Sequence, residues 1–550
     1  MALGIVAVYC IVHAFDPPRL NWGDSASDYN VMNSGLNFHK YGFWRLKFTP
    51  YIADPALIPP GQTRYIYTHY PQLPDLMNGF LRDVLSLTDL AQFRLVSLAF
   101  SFMALFFIYG LIERYWQREV AQLAIAIWVI NPLWLQHADY LHQCPYASFF
   151  GFGCLYFFSK SFRQNRRYAW LSGVFLFFTF LSSYDYWFFI PLLLILLTLK
   201  HEQGPIRWSA FNRLIHVGSF AVLAVGLKFA TNAWALGGFS NLLADLHFQY
   251  LERATNAVVQ TDFFEGLVPT AVGRITRCFS FLFFFVVLGW SAEPWLLKKN
   301  SRSETSITSP VNPLWLLLSA LPFLAIFNEI WVGQYYPTLL LLPFASVGTA
   351  ALIFLFSRQN AVAPKVAAGI LLAVVVGNSL FQNWYFKKAF FKSSAIEALR
   401  LDLNAVSRPG QVILTNHIFD TFYRYYFKRD TASLIIIPSA HQVDLALDLY
   451  SSQNSGPEYK GLKGGPVFIE HKHITDQLFD KGCYYLLASE RKWNWWGNPV
   501  RYRKEIDAFV QKRNSILMAK VAERGTMIHE TDDYRVWLLL PSKAARRTSP

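Results

Sequence analysis

Residues 21–30 read NWGDSASDYN and hold two carboxylates, Asp24 and Asp28. Residues 65–74 read YIYTHYPQLP and hold one histidine, His69, with Arg64 just ahead of it. A spacing of four puts Asp24 and Asp28 on one face of a helix. A carboxylate so held can take the proton of an attacking hydroxyl. The plainer reading of the same residues is a short surface helix that Asp24 caps and on which Asp28 is solvated. Three more clusters carry reactive side chains. His137, Asp139 and His142 lie in 137–144 (HADYLHQC), Arg274 and Arg277 stand three apart on one helical face, and Glu329 precedes Gln334 and Tyr335.

The elements that must position these groups are apolar. The chain is 53% hydrophobic and 16% charged, against roughly 25% charged in soluble domains. Apolar segments at 1–15, 92–112, 120–136, 145–159, 168–183, 186–199, 214–231, 272–290, 313–330, 335–356 and 365–383 predict about eleven membrane-spanning helices. Residues 1–15 lack a basic n-region and an A-x-A site, which argues against a cleaved signal peptide. They fall short of the roughly 20 residues a span needs, so the true start is expected elsewhere. The expected fold class is an all-α polytopic membrane protein with a small C-terminal α/β domain. Residues 1–383 form the transmembrane module, with a large first outer loop at 16–91, and 384–550 form the second domain.

Loop charge gives an orientation. One set of loops holds Arg114, Arg118, Lys160, Arg163, Arg166, Arg167, Lys200, Arg207, Arg213, Lys298, Lys299, Arg302, Arg358 and Lys365. The short loops of the other set (137–144, 184–186, 232–270 and 331–334) hold only Arg253. The positive-inside rule puts the first set in the cytoplasm. An odd number of spans puts the large loop and the C-terminus outside the plasma (inner) membrane. The net charge of +14 is therefore a topology signal, and no nucleic-acid partner is implied. Five scattered cysteines show no metal spacing and no disulfide framework. The 232–270 loop suits interfacial helices.

After residue 384, the stretches 411–417 (QVILTNH), 434–440 (LIIIPSA), 484–490 (YYLLASE) and 534–541 (YRVWLLLP) read as buried strands. Helical stretches are expected at 418–427, 443–451, 474–481 and 500–518, which makes the domain α/β. It has no Gly-rich phosphate loop. Trp493, Trp495 and Trp496 suit sugar stacking or an interfacial belt.

A first helix, a long outer loop with an acidic pair, then YTHYPQL (67–73) and FRLVSLA (93–99) resemble the GT-C glycosyltransferases. The likeness is narrower to the group of protein O-mannosyltransferases and lipid A aminoarabinose transferases. Ser27–Asp28–Tyr29 ahead of Tyr41–Gly42–Phe43–Trp44 resembles the family's acidic motif. Its first acid falls on Ser27, with Asp24 one turn away. The lysine of the family's K-P-P-L segment falls on Tyr70, beside His69. Residues 334–344 (QYYPTLLLLPF) resemble the family's late helix.

The resemblance implies an enzyme that moves a sugar from a polyprenyl-phosphate donor to an extracytoplasmic acceptor: protein, lipid or polysaccharide. Asp28, with Asp24 second, would be the general base. His69, Arg64, Arg274 and Arg277 would bind the donor phosphate, arginine best through its fork. Snorkelling to the interface is the alternative for the two last. His137, Asp139, His142, Glu329 and Tyr335 would belong to the acceptor or second-loop site. The family's carboxylate in that loop would stand nearer Gln143. No cofactor is required, although Asp28, Asp139 and His142 also suit a divalent metal. A transporter or flippase of lipid-linked saccharide, or a non-catalytic scaffold of the same fold, competes with this reading. A transporter should show repeats and broken midplane helices, and the polar residues here gather in loops instead.

Overall fold

The computed structural model describes residues 2–16, 23–52, 66–68, 70–162, 167–201, 208–254, 268–299, 311–327 and 336–390, residues 55 and 405 singly, and five strands given below. The chain divides into two compact units. The first comprises residues 1–18, 68–231 and 267–391, and the second 19–67, 232–266 and 392–550.

The first unit is helical. Its helices are α1 (Ala2–Ala14), α3 (Leu73–Leu85), α4 (Leu90–Tyr115), α5 (Arg118–Ile130), α6 (Pro132–His137), α7 (Gln143–Ser161), α8 (Arg167–Phe180), α9 (Asp185–His201), most of α10 (Trp208–Leu236), α12 (Val268–Phe279), α13 (Leu282–Lys299), α14 (Leu314–Ile326), α15 (Leu342–Ser357) and α16 (Val362–Phe390). A 3-10 turn, Tyr336–Leu341, leads into α15. Most of these helices overlap the predicted apolar segments, but α3 falls inside the expected 16–91 loop, and the expected 120–136 and 272–290 spans are each divided between two helices. Among the described residues four are long and apolar enough to cross a membrane: Leu90–Tyr115, Phe211–Leu236, Tyr336–Ser357 and Val362–Tyr385. A fifth is added if α12 and α13, bent by 93° at their break, count as one span.

Local chemistry explains several ends. Gln92 Oε1 accepts from the backbone N–H of Asp89 at 3.1 Å, which closes the start of α4. The expected 120–136 segment is two helices because Pro132 cannot donate to α5 and opens α6 instead. Asn131 bridges the joint: its Oδ1 accepts from Leu133 N at 2.9 Å and its Nδ2 donates to the Cys278 carbonyl at 2.9 Å. The break between α12 and α13 falls at Ser280, whose φ is +63°. Helix α7 lies against α4 and α8 through aromatic rings, with Phe107 within 5.6 Å of Phe149, Tyr156 and Phe175. Gly153 permits the approach of α8, since a Cβ there would meet the Phe175 ring at 2.3 Å.

The second unit contains α2 (Gly23–Tyr41), α11 (Phe239–Ala254) and the five strands. Asn37 Nδ2 donates to the Tyr51 carbonyl at 2.5 Å, and Tyr67 N to the Pro50 carbonyl at 2.7 Å. Lys47 Nζ donates to the Trp234 carbonyl at 2.7 Å, and Trp44 meets the Trp234 ring edge-on at 5.4 Å. The strands β1 (Ile413–Thr415), β2 (Thr431–Ser433), β3 (Cys483–Ala488), β4 (Gly525–Glu530) and β5 (Tyr534–Leu539) form a mixed sheet ordered β2-β1-β3-β5-β4. β1 runs parallel to β2 and β3, and β5 antiparallel to β3 and β4. Strands overlap three of the expected stretches, 411–417, 484–490 and 534–541, and β2 and β4 add to them. The 434–440 stretch, the four expected C-terminal helices and Trp493, Trp495 and Trp496 lie outside the described residues.

Candidate functional site

In the first unit, buried polar side chains gather where the 68–72 segment, the start of α4, the α6–α7 joint and the turn before α15 come together. Tyr70 is the hub. Its hydroxyl lies 3.0 Å from that of Tyr336, and its ring meets the His142 ring edge-on at 4.7 Å. Its carbonyl accepts from Lys228 Nζ at 2.8 Å. Lys228 projects from the middle of α10, has no solvent exposure, and stands 5.2 Å from the Tyr184 ring. One turn on, Thr231 Oγ1 accepts from Gln72 Nε2 at 3.1 Å. A lysine ammonium can stay charged in such a place only where carbonyl dipoles and ring faces replace its water.

A second cationic anchor holds the α6–α7 loop. The guanidinium of Arg94 lies 3.9 Å from the Asp139 carboxylate, and both residues are buried. Arg94 also donates to the Asp16 carbonyl at 2.9 Å. Ser101, on the same face of α4, donates to the Ala138 carbonyl at 2.6 Å. The His137 ring nitrogen Nδ1 lies 2.8 Å from the Leu133 carbonyl, which pins that imidazole to its own helix. Gln143 opens α7 and is 1% exposed. Neither polar atom of its amide meets a partner among the described residues, and Ser97 Oγ is in the same condition. Buried amides are nearly always bonded to protein, water or ligand. Helix α12 docks its C-terminal end on Asn131, next to this loop.

Asp28 belongs to the second unit, on α2, where it is 2% exposed. The solvated reading of Asp28 is thereby corrected: the helix exists, and its inward face takes Asp28 with Tyr29, Met32 and Asn33. Asp24 lies on the same helix, but its side chain, like His69, Arg64, Glu329, Gln334 and Tyr335, lies outside the described residues. Arg274 is 7% exposed while Arg277 faces outward, so the two differ in surroundings although three apart. Among the described residues no three His, Cys, Asp or Glu side chains converge as a metal would need. Within the first unit, Arg94 attends Asp139 and His142 packs on Tyr70.

Sequence reasoning named neither Lys228, Arg94 nor Tyr336 as site residues, and met Tyr70 and Gln143 only as positions of the family's motifs. Lys228 carried a readable signal, a lone ammonium in an apolar segment. Tyr70 and Tyr336 each fall in a segment that carries the resemblance, but nothing in the sequence pairs them, since 266 positions separate them.

Neither protein-family profiles nor curated protein sequences match this chain. Solved structures do. ArnT from Cupriavidus metallidurans in the apo state superposes with a TM-score of 0.56 at 12% identity, covering 100% of this chain and 98% of its own. The same protein bound to undecaprenyl phosphate gives 0.55 at 11%, covering 98% of each chain. The archaeal oligosaccharyltransferase AglB from Archaeoglobus fulgidus, in complex with an inhibitory peptide and a dolichol-phosphate, gives 0.52 at 11%, covering 100% of this chain and 75% of its own. These neighbours are GT-C membrane glycosyltransferases, and the fold of this chain is the GT-C fold.

Proposed function

We propose that this protein is a membrane glycosyltransferase that takes a sugar from a polyprenyl-phosphate carrier and passes it to an acceptor outside the cytoplasm. The observation that carries the reading is the end-to-end likeness of fold to ArnT, which has been solved with undecaprenyl phosphate. Asp28 would act as general base on the acceptor, with Asp24 as its neighbour on α2. Burial suits that role, because it keeps the carboxylate out of bulk water beside the acceptor. Arg274, Arg277, His69 and Arg64 would attend the carrier phosphate and stabilise the charge that grows on it as the sugar leaves. His137, Asp139, His142, Glu329 and Tyr335 would shape the second-loop side of the site, anchored through Arg94. The eleven-span topology belongs to the same proposal, with residues 1–383 as the membrane module and 384–550 outside the plasma membrane.

Among the described residues, the bend between α12 and α13 is a feature a transporter would share. One experiment separates the readings. The purified protein is reconstituted in liposomes with lipid-phosphate sugars extracted from its host, and transfer to an acceptor fraction is followed by mass spectrometry. The expected result is a new glycoconjugate with wild type. Asp28→Asn keeps the side chain's size but loses the basic lone pair, and the rate should fall about 10²–10⁴-fold with donor binding kept. Movement of the intact lipid-linked sugar across the bilayer without transfer would favour the transporter.

A further inference from the structure

A cavity lies in the first unit, away from the cluster around Tyr70. It has a volume of about 280 Å³ and is walled by α4, α5, α7, α9, α14 and α15, with Leu111, Leu155 and Leu196 among its lining residues. Along α4 it begins at Ile108, fourteen residues past Arg94. At 1.5 Å per residue this puts it roughly 20 Å from the Arg94–Asp139 pair. On α9 the lining runs from Leu193 to Lys200, the last turns of the helix, and on α14 it takes the first turn at Trp315. The cavity therefore opens toward the helix ends that carry Arg114, Arg118, Lys160 and Lys200.

Its chemistry is one-sided. The lining is almost wholly apolar, and Lys200 is the charged residue among it. At about 30 Å³ per water-sized group, the volume holds a run of roughly nine such groups, yet apolar walls of this kind leave water out. Two of the lining residues, Trp116 and Trp128, keep buried indole N–H groups with no acceptor among the described residues. The space thus calls for an apolar chain joined to an oxygen acceptor and an anion.

We propose that this cavity binds one acyl chain of an anionic phospholipid, with the headgroup phosphate on Lys200 and an ester oxygen within reach of the Trp116 donor at the same end. A lipid tail gains little hydrophobic free energy on leaving the bilayer, which is as apolar as the cavity. What it gains is contact with walls that otherwise face a void, and that gain is the same for every headgroup. Selectivity must then come from the cationic rim, as it does for basic pockets at a membrane surface. The site is independent of the transfer reaction.

Photo-cross-linking tests this on the full-length protein in phosphatidylcholine nanodiscs. The probe is phosphatidylglycerol, added as a minor component, with a diazirine at the end of one acyl chain. The expected result is labelling of peptides containing Leu111, Leu155 or Leu196, several-fold above that from a phosphatidylcholine probe. Leu196→Trp, which fills the cavity, should lower that labelling several-fold. Lys200→Gln, a change at a partly exposed helix end, should erase the headgroup preference while labelling persists. Label confined to outward-facing residues such as Phe106 and Val222 would overturn the proposal. So would equal labelling by both probes, or displacement of the label by undecaprenyl phosphate and not by unlabelled phosphatidylglycerol.

Discussion

The ammonium of Lys228 and the carbonyl of Tyr70 meet at 2.8 Å, tying the middle of α10 to the segment that precedes α3. The Thr68 carbonyl lies 3.4 Å from the same nitrogen. Lys228→Met removes the ammonium donor of the Tyr70 carbonyl, while the Thr68 carbonyl keeps the Tyr184 hydroxyl at 3.5 Å. Each unpaired buried group costs about 1–3 kcal/mol. The thermal midpoint in detergent should drop, and protease cleavage within 60–72 should rise. An unchanged midpoint would mean that water replaces the ammonium at no cost.

Arg94 and Asp139 compensate each other's charge inside the first unit. Removing one partner of a buried pair leaves the other charge unpaired, at about 3–5 kcal/mol. Arg94→Met and Asp139→Leu should therefore each lower stability strongly. The double variant should cost less than the sum of the two, and thermal denaturation of all four proteins measures the difference. Strict additivity would show that the pair is not coupled.

Gln143 gives a test that separates stability from function. Its amide meets no partner among the described residues. Replacing an unsatisfied buried polar group by an apolar one of similar shape is close to neutral or stabilising. Gln143→Leu should thus keep or raise the thermal midpoint. If the amide serves a substrate, transfer should fall at the same time. A lower midpoint would mean that ordered water or another partner already satisfies the amide.

Tyr51 supplies a pH dependence outside the membrane-spanning helices. Burial pushes its phenol above the usual tyrosine range, because desolvation disfavours the phenolate. The unfolded chain then loses this proton at lower pH than the folded one. The stability Tyr51 contributes is complete below about pH 10 and is lost as pH rises through the raised folded value. Tyr51→Phe cannot ionise, so wild type should lose stability relative to the variant as pH rises above about 10 in alkaline denaturation. Parallel curves up to high pH would show that Tyr51 titrates as freely folded as unfolded.

Much of the helical layout was legible because a bilayer-spanning helix is a local property: a long apolar run at 90–115 or 362–385 allows little else. The joint at Asn131–Pro132, read as part of one 120–136 segment, has an equally local cause, since proline withholds a donor wherever it stands. The bend at Ser280 was not legible. The sequence CFSF around it contains no glycine or proline, so the break answers to what α12 and α13 pack against. Spacing placed Arg274 and Arg277 on one face, but packing buried the first and left the second exposed. A helical face is a wide arc, and neighbouring helices decide how much of it they cover. The candidate site was readable only in part for the same reason. An acidic segment announced Asp28, whereas Tyr70 with Tyr336, and Arg94 with Asp139, acquire their meaning from distances that span 266 and 45 positions of sequence. Residue types and periodicity determine which segments become helices. Only the tertiary structure decides which distant hydroxyl, ammonium or carboxylate each buried polar group must find, because that pairing is set by the desolvation cost of leaving the group alone.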